Sequence, residues 1–277
     1  MKITDLTFTE IDVPQPVRRV VSLLPSATET VFALGAGERL VGRTRYCIAP
    51  DEARAVENIG GTKDPDLARI IALKPELVIA NKEENRREDI LHLREHGLAV
   101  HVSQPTSVEE SLSWVSTLGM LLQTEDAADA IVKRGVKQIV ALRDRAAQLE
   151  EANAHRLKPR ERVRPRVVAF IWKDPWMAVG ADTYAGDLIE TLGGEHVLKA
   201  DKGRYPELTA EALAALRPDV LLFPDEPFPF KPEHLEHWRN QLHLPAERLR
   251  LCDGQDFLWF GARTPDALQR LSALLAW

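Results

Sequence analysis

The segment Leu73-Lys74-Pro75-Glu76-Leu77-Val78-Ile79 returns in the second half of the chain as Leu216-Arg217-Pro218-Asp219-Val220-Leu221-Leu222. In each copy an amphipathic stretch, Leu67 to Ala72 or Ala210 to Ala215, runs through a proline turn into an apolar strand. A helix-to-strand turn used twice predicts two versions of one α/β lobe. Val20-Val21 ahead of Leu34-Gly35-Ala36-Gly37 is echoed in the same order by Val167-Val168 ahead of Leu192-Gly193-Gly194. The length agrees, since 277 residues suit about two domains at roughly 150 residues each.

Within the first lobe, Val20 to Leu24 reads as a buried strand broken at Pro25. The helix that follows takes Ser26 or Thr28 as its cap and stops at Gly35. Leu40 to Thr44, Leu77 to Ala80 and Leu98 to Val102 read as strands, with helices over Leu67 to Leu73 and Arg86 to His96. Strands alternating with helices predict parallel sheets covered on both faces. Thr124 to Ala154 contains no proline and one glycine, and its apolar residues recur at helical spacing, which predicts one long connecting helix. The expected organisation is an N-terminal lobe over 1–123, a connecting helix over 124–154 and a C-terminal lobe over 155–277. The basic stretch from His155 to Arg166 reads as a solvated loop.

Composition excludes several classes. Basic and acidic side chains number 36 and 42, a net charge of −6, so no general basic surface exists to follow a nucleic acid backbone. No segment has the ~18 apolar residues of a membrane span. Met1 to Val17 carries Asp5, Glu10 and Asp12 without an apolar run of signal-peptide length. The chain as written is therefore expected either to start in the cytoplasm or to be a processed form whose export signal has been removed. Cys47 and Cys252 are expected as free thiols, with a single bridge as the alternative.

Ligands of open parallel sheets bind beyond the C-terminal strand ends, so the loops there carry the functional reading. Of 17 aromatic residues, 13 lie after residue 165. Trp172, Trp176, Tyr205, Phe228, Phe230, Trp259 and Phe260 sit on or beside the expected strand-end loops. They suit an apolar or conjugated ligand, and Arg45, Lys63, Lys82, Arg204 and Arg263 offer charge to an anionic group. The competing reading packs about half of these rings beneath their own loops.

Other patterns carry less. His92-Leu93-Arg94-Glu95-His96 matches a short zinc-hydrolase pattern, and His234 and His237 precede His243, but neither group falls at an expected cleft edge. Both read as surface histidines. Gly60-Gly61-Thr62-Lys63 lacks the order of a phosphate loop, and Ser26 and Cys47 lack the surroundings of a nucleophile. Neither a catalytic group nor a resident metal or cofactor is expected.

Val21 to Glu29, Leu34-Gly35-Ala36, Ile71 to Ile79, Gly193-Gly194 and Leu216 to Asp219, taken with the long connector, resemble the cobalamin and ferric-siderophore binding proteins of ABC importers. The resemblance runs from about Val17 to Ala276. It implies two Rossmann-like α/β lobes with parallel sheets, joined by one long rigid helix, that hold a ligand in an interlobe cleft as a monomer. By the same resemblance the cleft positions fall on Pro25, Tyr46, Thr62, Asn81, Met177, Tyr205 and Arg263, with Lys63, Trp176, Arg204, Trp259 and Phe260 adjoining. Cobalamin-binding members carry tryptophans at the Thr62 and Asn81 positions. A corrinoid is the expected ligand and a ferric siderophore the alternative; a cytoplasmic corrinoid- or chelate-handling protein is the alternative of another class. The family docks on its permease through one glutamate per lobe, which falls here on Glu211 and, in the first lobe, on Ala68. The resemblance implies an extracytoplasmic location.

Overall fold

The computed structural model describes residues 1–153 and 164–274, so Ala154 and most of the basic stretch that begins at His155 lie outside it. The chain divides into two compact units. The first comprises Met1–Pro105, Ser111–Lys133 and Phe260–Arg263, and the second Thr106–Glu110, Arg134–Trp259 and Thr264–Trp277.

The chain opens on an antiparallel hairpin, β1 (Lys2–Thr4) and β2 (Glu10–Asp12). There follow β3 (Val20–Ser22), α1 (Pro25–Ala33), β4 (Leu40–Arg43), α2 (Leu67–Leu73), β5 (Leu77–Asn81), α3 (Arg87–Glu95), β6 (Val100–Ser103) and α4 (Val108–Leu122). Strands β3 to β6 form a parallel sheet in the order β4-β3-β5-β6. Val21, Leu23, Val78, Ala80, Val100 and Val102 line one face and pack with Ile70, Ile90 and Leu93 from α2 and α3. Burial of both faces accounts for the apolar strand runs. Helix α1 differs from expectation at its start: Leu24 is the N-cap and makes no side-chain cap bond. Pro25 supplies the first helical position, where its missing N–H costs nothing, and Ser26 and Thr28 lie inside the helix.

Helix α5 (Glu125–Asn153) runs 29 residues, about 43 Å at 1.5 Å per residue. It begins in the first unit and passes into the second between Lys133 and Arg134.

The second unit continues with β7 (Arg166–Trp172), β8 (Met177–Ala178), α6 (Tyr184–Thr191), β9 (Glu195–His196), α7 (Ala210–Leu216), β10 (Val220–Pro224), α8 (Pro232–Leu242), β11 (Leu249–Cys252), α9 (Gly254–Leu258) and α10 (Thr264–Leu274). Its sheet runs β11-β10-β7-β8, with β9 also on β7. All pairings are parallel except β8 on β7. Phe170, Phe223 and Trp238 form its aromatic core with Val168, Leu213 and Leu221.

The repeat survives at the level of individual hydrogen bonds. Lys74 and Arg217, each the C-cap of its helix, share a left-handed conformation at φ 48°, ψ 57° and φ 48°, ψ 58°. Arg19 Nε and Nη2 donate to the Leu73 carbonyl, and Arg166 Nε and Nη2 donate to the Leu216 carbonyl. The acid after each proline closes the turn: Glu76 accepts from the Arg18 and Arg19 amides, Asp219 from the Arg166 amide. A terminal helix carbonyl without an intrahelical donor is satisfied both times by an arginine at the start of the neighbouring strand, Arg19 just ahead of β3 and Arg166 as the first residue of β7.

Candidate functional site

In the first unit, the parallel register brings the loops after β3, β4 and β5 to one edge of the sheet. Asn85, only 5% exposed, joins three of these segments. Its Nδ2 donates to the Leu23 and Thr62 carbonyls, each at 3.1 Å, and its Oδ1 accepts from the Asn81 amide at 2.8 Å. Asn81 is the last residue of β5, and its side-chain oxygen accepts from the Glu83 and Glu84 amides. It is buried and caps its own loop.

Thr62 is buried beside this asparagine pair, and Pro25 is half-buried at the start of α1. Lys63 extends to the Glu83 carbonyl. Tyr46 stands 52% exposed past the end of β4, with the Arg45 guanidinium 5.8 Å from its ring centroid. Arg45 is itself held by Asp64 at 2.8 Å, a hydrogen bond that raises the guanidinium above its ordinary pKa. Arg263, in the segment between α9 and α10, reaches α1 by gripping Glu29, and Phe260 is buried with its ring 5.0 Å from that of Trp114 in an edge-on contact.

In the second unit the segment from Gly203 to Leu208 runs beside β8. Ala178 N donates to the Pro206 carbonyl, Gly180 N to that of Arg204 and Leu208 N to that of Trp176. These bonds gather Trp176, Met177, Arg204 and Tyr205, all half-buried. Arg204 is paired with Asp182 at 3.1 Å. Trp176 stacks on His237 at 5.4 Å and on Phe230 at 5.9 Å, and meets Phe170 and Trp238 edge-on. Much of its ring is therefore used by neighbours. Phe228 and Phe230 pack on one another, Trp259 is buried, and Trp172 remains 43% exposed. Glu211 is exposed in the first turn of α7.

The sequence points to the strand-end loops as a group but not to Asn85, whose only trace is its place in the segment after β5. Nor does it point to Ser111 and Thr30, whose hydroxyl oxygens accept from the Gly261 and Ala262 amides. His92 on α3 and His96 at its C-cap meet in a tilted contact with ring centroids 4.3 Å apart. Among the described residues, no three His, Cys, Asp or Glu side chains come together as cation ligands. Both cysteines are free, and burial pushes the Cys47 thiol up, away from the nucleophilic thiolate.

Two α/β units built on one repeated turn, with loops gathered at the strand ends and a long helix passing from one to the other, define a class of binding proteins. The chain belongs to the periplasmic binding protein family, whose model matches residues 20–241. It is 25% identical over 208 residues to the vitamin B12-binding protein of Yersinia pestis (strain Pestoides F), covering 75% of this chain and 70% of that protein. Among solved structures it resembles a periplasmic heme binding protein from Pseudomonas aeruginosa, with a TM-score of 0.77 at 22% identity, covering 94% and 92% of the two chains. It also resembles the periplasmic heme-binding protein RhuT from Roseiflexus sp. RS-1, with a TM-score of 0.70 at 25% identity, covering 94% and 98%. No described helix is long and apolar enough to cross a membrane.

Proposed function

We propose that this chain is the ligand-binding component of an ABC importer and that its ligand is a tetrapyrrole-type metal chelate, a corrinoid before others. The observation that carries the choice of ligand is the state of the basic residues on the strand-end loops. Arg45 holds Asp64, Arg204 holds Asp182, Arg263 holds Glu29 and Lys173 holds Asp174. Cations compensated in this way suit a ligand recognised through its ring face and neutral periphery. A polyanionic ferric siderophore would have to displace the carboxylates. In the first unit the exposed ring of Tyr46, and in the second the exposed Trp172 and half-buried Tyr205, each offer apolar surface to such a face. The similar proteins named for vitamin B12 and heme support the same class of ligand.

A second reading, ferric heme, is favoured by Tyr46. Its phenol is exposed beside the Arg45 guanidinium, and tyrosinate is an established ligand of heme iron. Titration with cyanocobalamin, hemin and a ferric catecholate siderophore, followed by tryptophan fluorescence and visible absorbance, separates these readings. Tight binding of cyanocobalamin supports the first. Hemin binding with a charge-transfer band lost in Tyr46→Phe supports the second. Siderophore binding alone overturns both.

Docking on a permease would rest on Glu211. Its first-unit counterpart Ala68 is exposed but uncharged, Asp66 is occupied as the N-cap of α2, accepting from the Arg69 amide, and Asp64 is occupied by Arg45.

A further inference from the structure

We infer that Asn85 is a positioning residue for ligand binding: one buried amide fixes the three loops of the first unit that would meet the ligand. The inference rests on the reading of this strand edge as ligand-binding.

The argument is one of valence. A primary amide has two N–H donors and one carbonyl acceptor, and Asn85 commits all of them to backbone groups on different segments. Its donors reach Leu23, one residue before the Leu24 cap of α1, and Thr62, in the loop after β4. Its acceptor takes the amide of Asn81 at the end of β5, and its own N–H returns to the Asn81 carbonyl at 3.0 Å. Pro25, Thr62, Lys63 and Asn81 therefore take their places relative to one side chain. Buried backbone groups left without partners are costly, so these loops have a reason to hold a single arrangement only while Asn85 is present. No other natural side chain of this size supplies the same donors and acceptor. Aspartate keeps the shape but turns two attractive contacts with carbonyl oxygens into repulsive ones.

A rivet of a different kind provides the control. Arg39, just ahead of β4, donates through Nη1 to the carbonyl of Val17, ahead of β3, and to that of Leu122 at the end of α4, at the opposite edge of the sheet.

The test compares the native chain with Asn85→Ala, Asn85→Asp and Arg39→Ala, far below their melting temperatures and with folding verified by circular dichroism. The probes are cyanocobalamin and hemin. Asn85→Ala is expected to weaken binding of the probe that the native chain takes by tenfold or more. Arg39→Ala should lose thermal stability and stay within twofold of native affinity. Asn85→Asp should bind as weakly as Asn85→Ala at pH 7.5 and regain affinity on acidification, as its carboxyl takes up a proton and recovers one donor. Hydrogen exchange without ligand should accelerate at the amides of Asn81 and of residues 60–64 in the Asn85 variants. Native-like affinity in a folded Asn85 variant, or equal weakening in Arg39→Ala, overturns the inference and leaves the binding function standing. Failure of the native chain to bind either probe overturns that function and the inference with it.

Discussion

Arg263 meets Glu29 through two parallel hydrogen bonds, Nε to Oε2 at 2.8 Å and Nη2 to Oε1 at 2.6 Å, with both side chains largely shielded from solvent. The pair fastens the short Phe260–Arg263 segment to α1, next to the contacts that Gly261 and Ala262 make with Ser111 and Thr30. A bidentate pair removed from water is worth more than a surface bridge, and removing one partner strands the other. Arg263→Ala and Glu29→Ala should each lower stability by about 2 kcal/mol, and the double variant by clearly less than the sum. Urea unfolding of the three variants measures this; additive losses would show that the two groups are independent.

His101 should make the fold sensitive to acid. The ring is 5% exposed in β6 and neither nitrogen has a partner among the described residues, so burial holds the imidazole down at about 4, with Arg94 lowering it further against the pull of Asp5. The unfolded chain binds this proton near pH 6.5 while the folded one does not, so stability is undiminished above pH 6.5 and falls as the pH drops toward 4. The full difference is about 3 kcal/mol. Urea midpoints from pH 7 to 4 should fall less steeply in His101→Leu than in the native chain.

The two copies of the proline turn should differ in their sensitivity. Arg166 is half-buried, whereas Arg19 is exposed, so solvent can replace the contact of Arg19 with Leu73 more readily than that of Arg166 with Leu216. Arg166→Ala should cost about 2 kcal/mol and Arg19→Ala about 1 kcal/mol or less. Equal losses in thermal unfolding would count against solvent replacement as the reason.

Trp176→Ala should act on folding before binding. Its ring closes an aromatic group with Phe170, Phe230, His237 and Trp238, and its loss should cost about 2 to 4 kcal/mol. Tyr205→Ala, by contrast, should leave the melting temperature nearly unchanged and weaken ligand binding by about 1 to 3 kcal/mol. Calorimetric melting and ligand titration of both variants decide between these effects.

On the permease side, Glu211→Ala should abolish co-purification with the cognate permease, and Ala68→Glu should strengthen it. Docking indifferent to both substitutions would exclude Glu211 as the contact.

The parts of the fold that were legible in the sequence are those written in neighbouring residues. Pro75 and Pro218 with their flanking apolar runs mark α2, β5 and α7 to within a residue and the start of β10, because punctuation and strand composition are local signals. Thr124 to Ala154 declared α5 by the absence of breakers. The cap of α1 was misjudged because Ser26 and Thr28 satisfy cap chemistry, while Pro25 claims the first helical position ahead of them. The strand-end aromatics were legible as a group but not in detail: composition cannot tell a ring stacked on His237, such as Trp176, from one left open, such as Trp172. The reach of Asn85 to Leu23 spans 62 positions and leaves no periodic trace. The attachment of Arg263 to Glu29 spans 234 and leaves none either.

The Phe260–Arg263 segment also sets an order of events during synthesis. The amides that Ser111 and Thr30 receive belong to residues 150 and 232 positions further along the chain. The first unit can collapse around its sheet while translation continues, yet Glu29, Thr30 and Ser111 wait for the Phe260–Arg263 segment before their bonds are complete. A nascent protein stopped short of residue 260 would carry a nearly whole first unit with an open seam along α1 and α4, a state in which a chaperone or a protease could tell an unfinished molecule from a finished one.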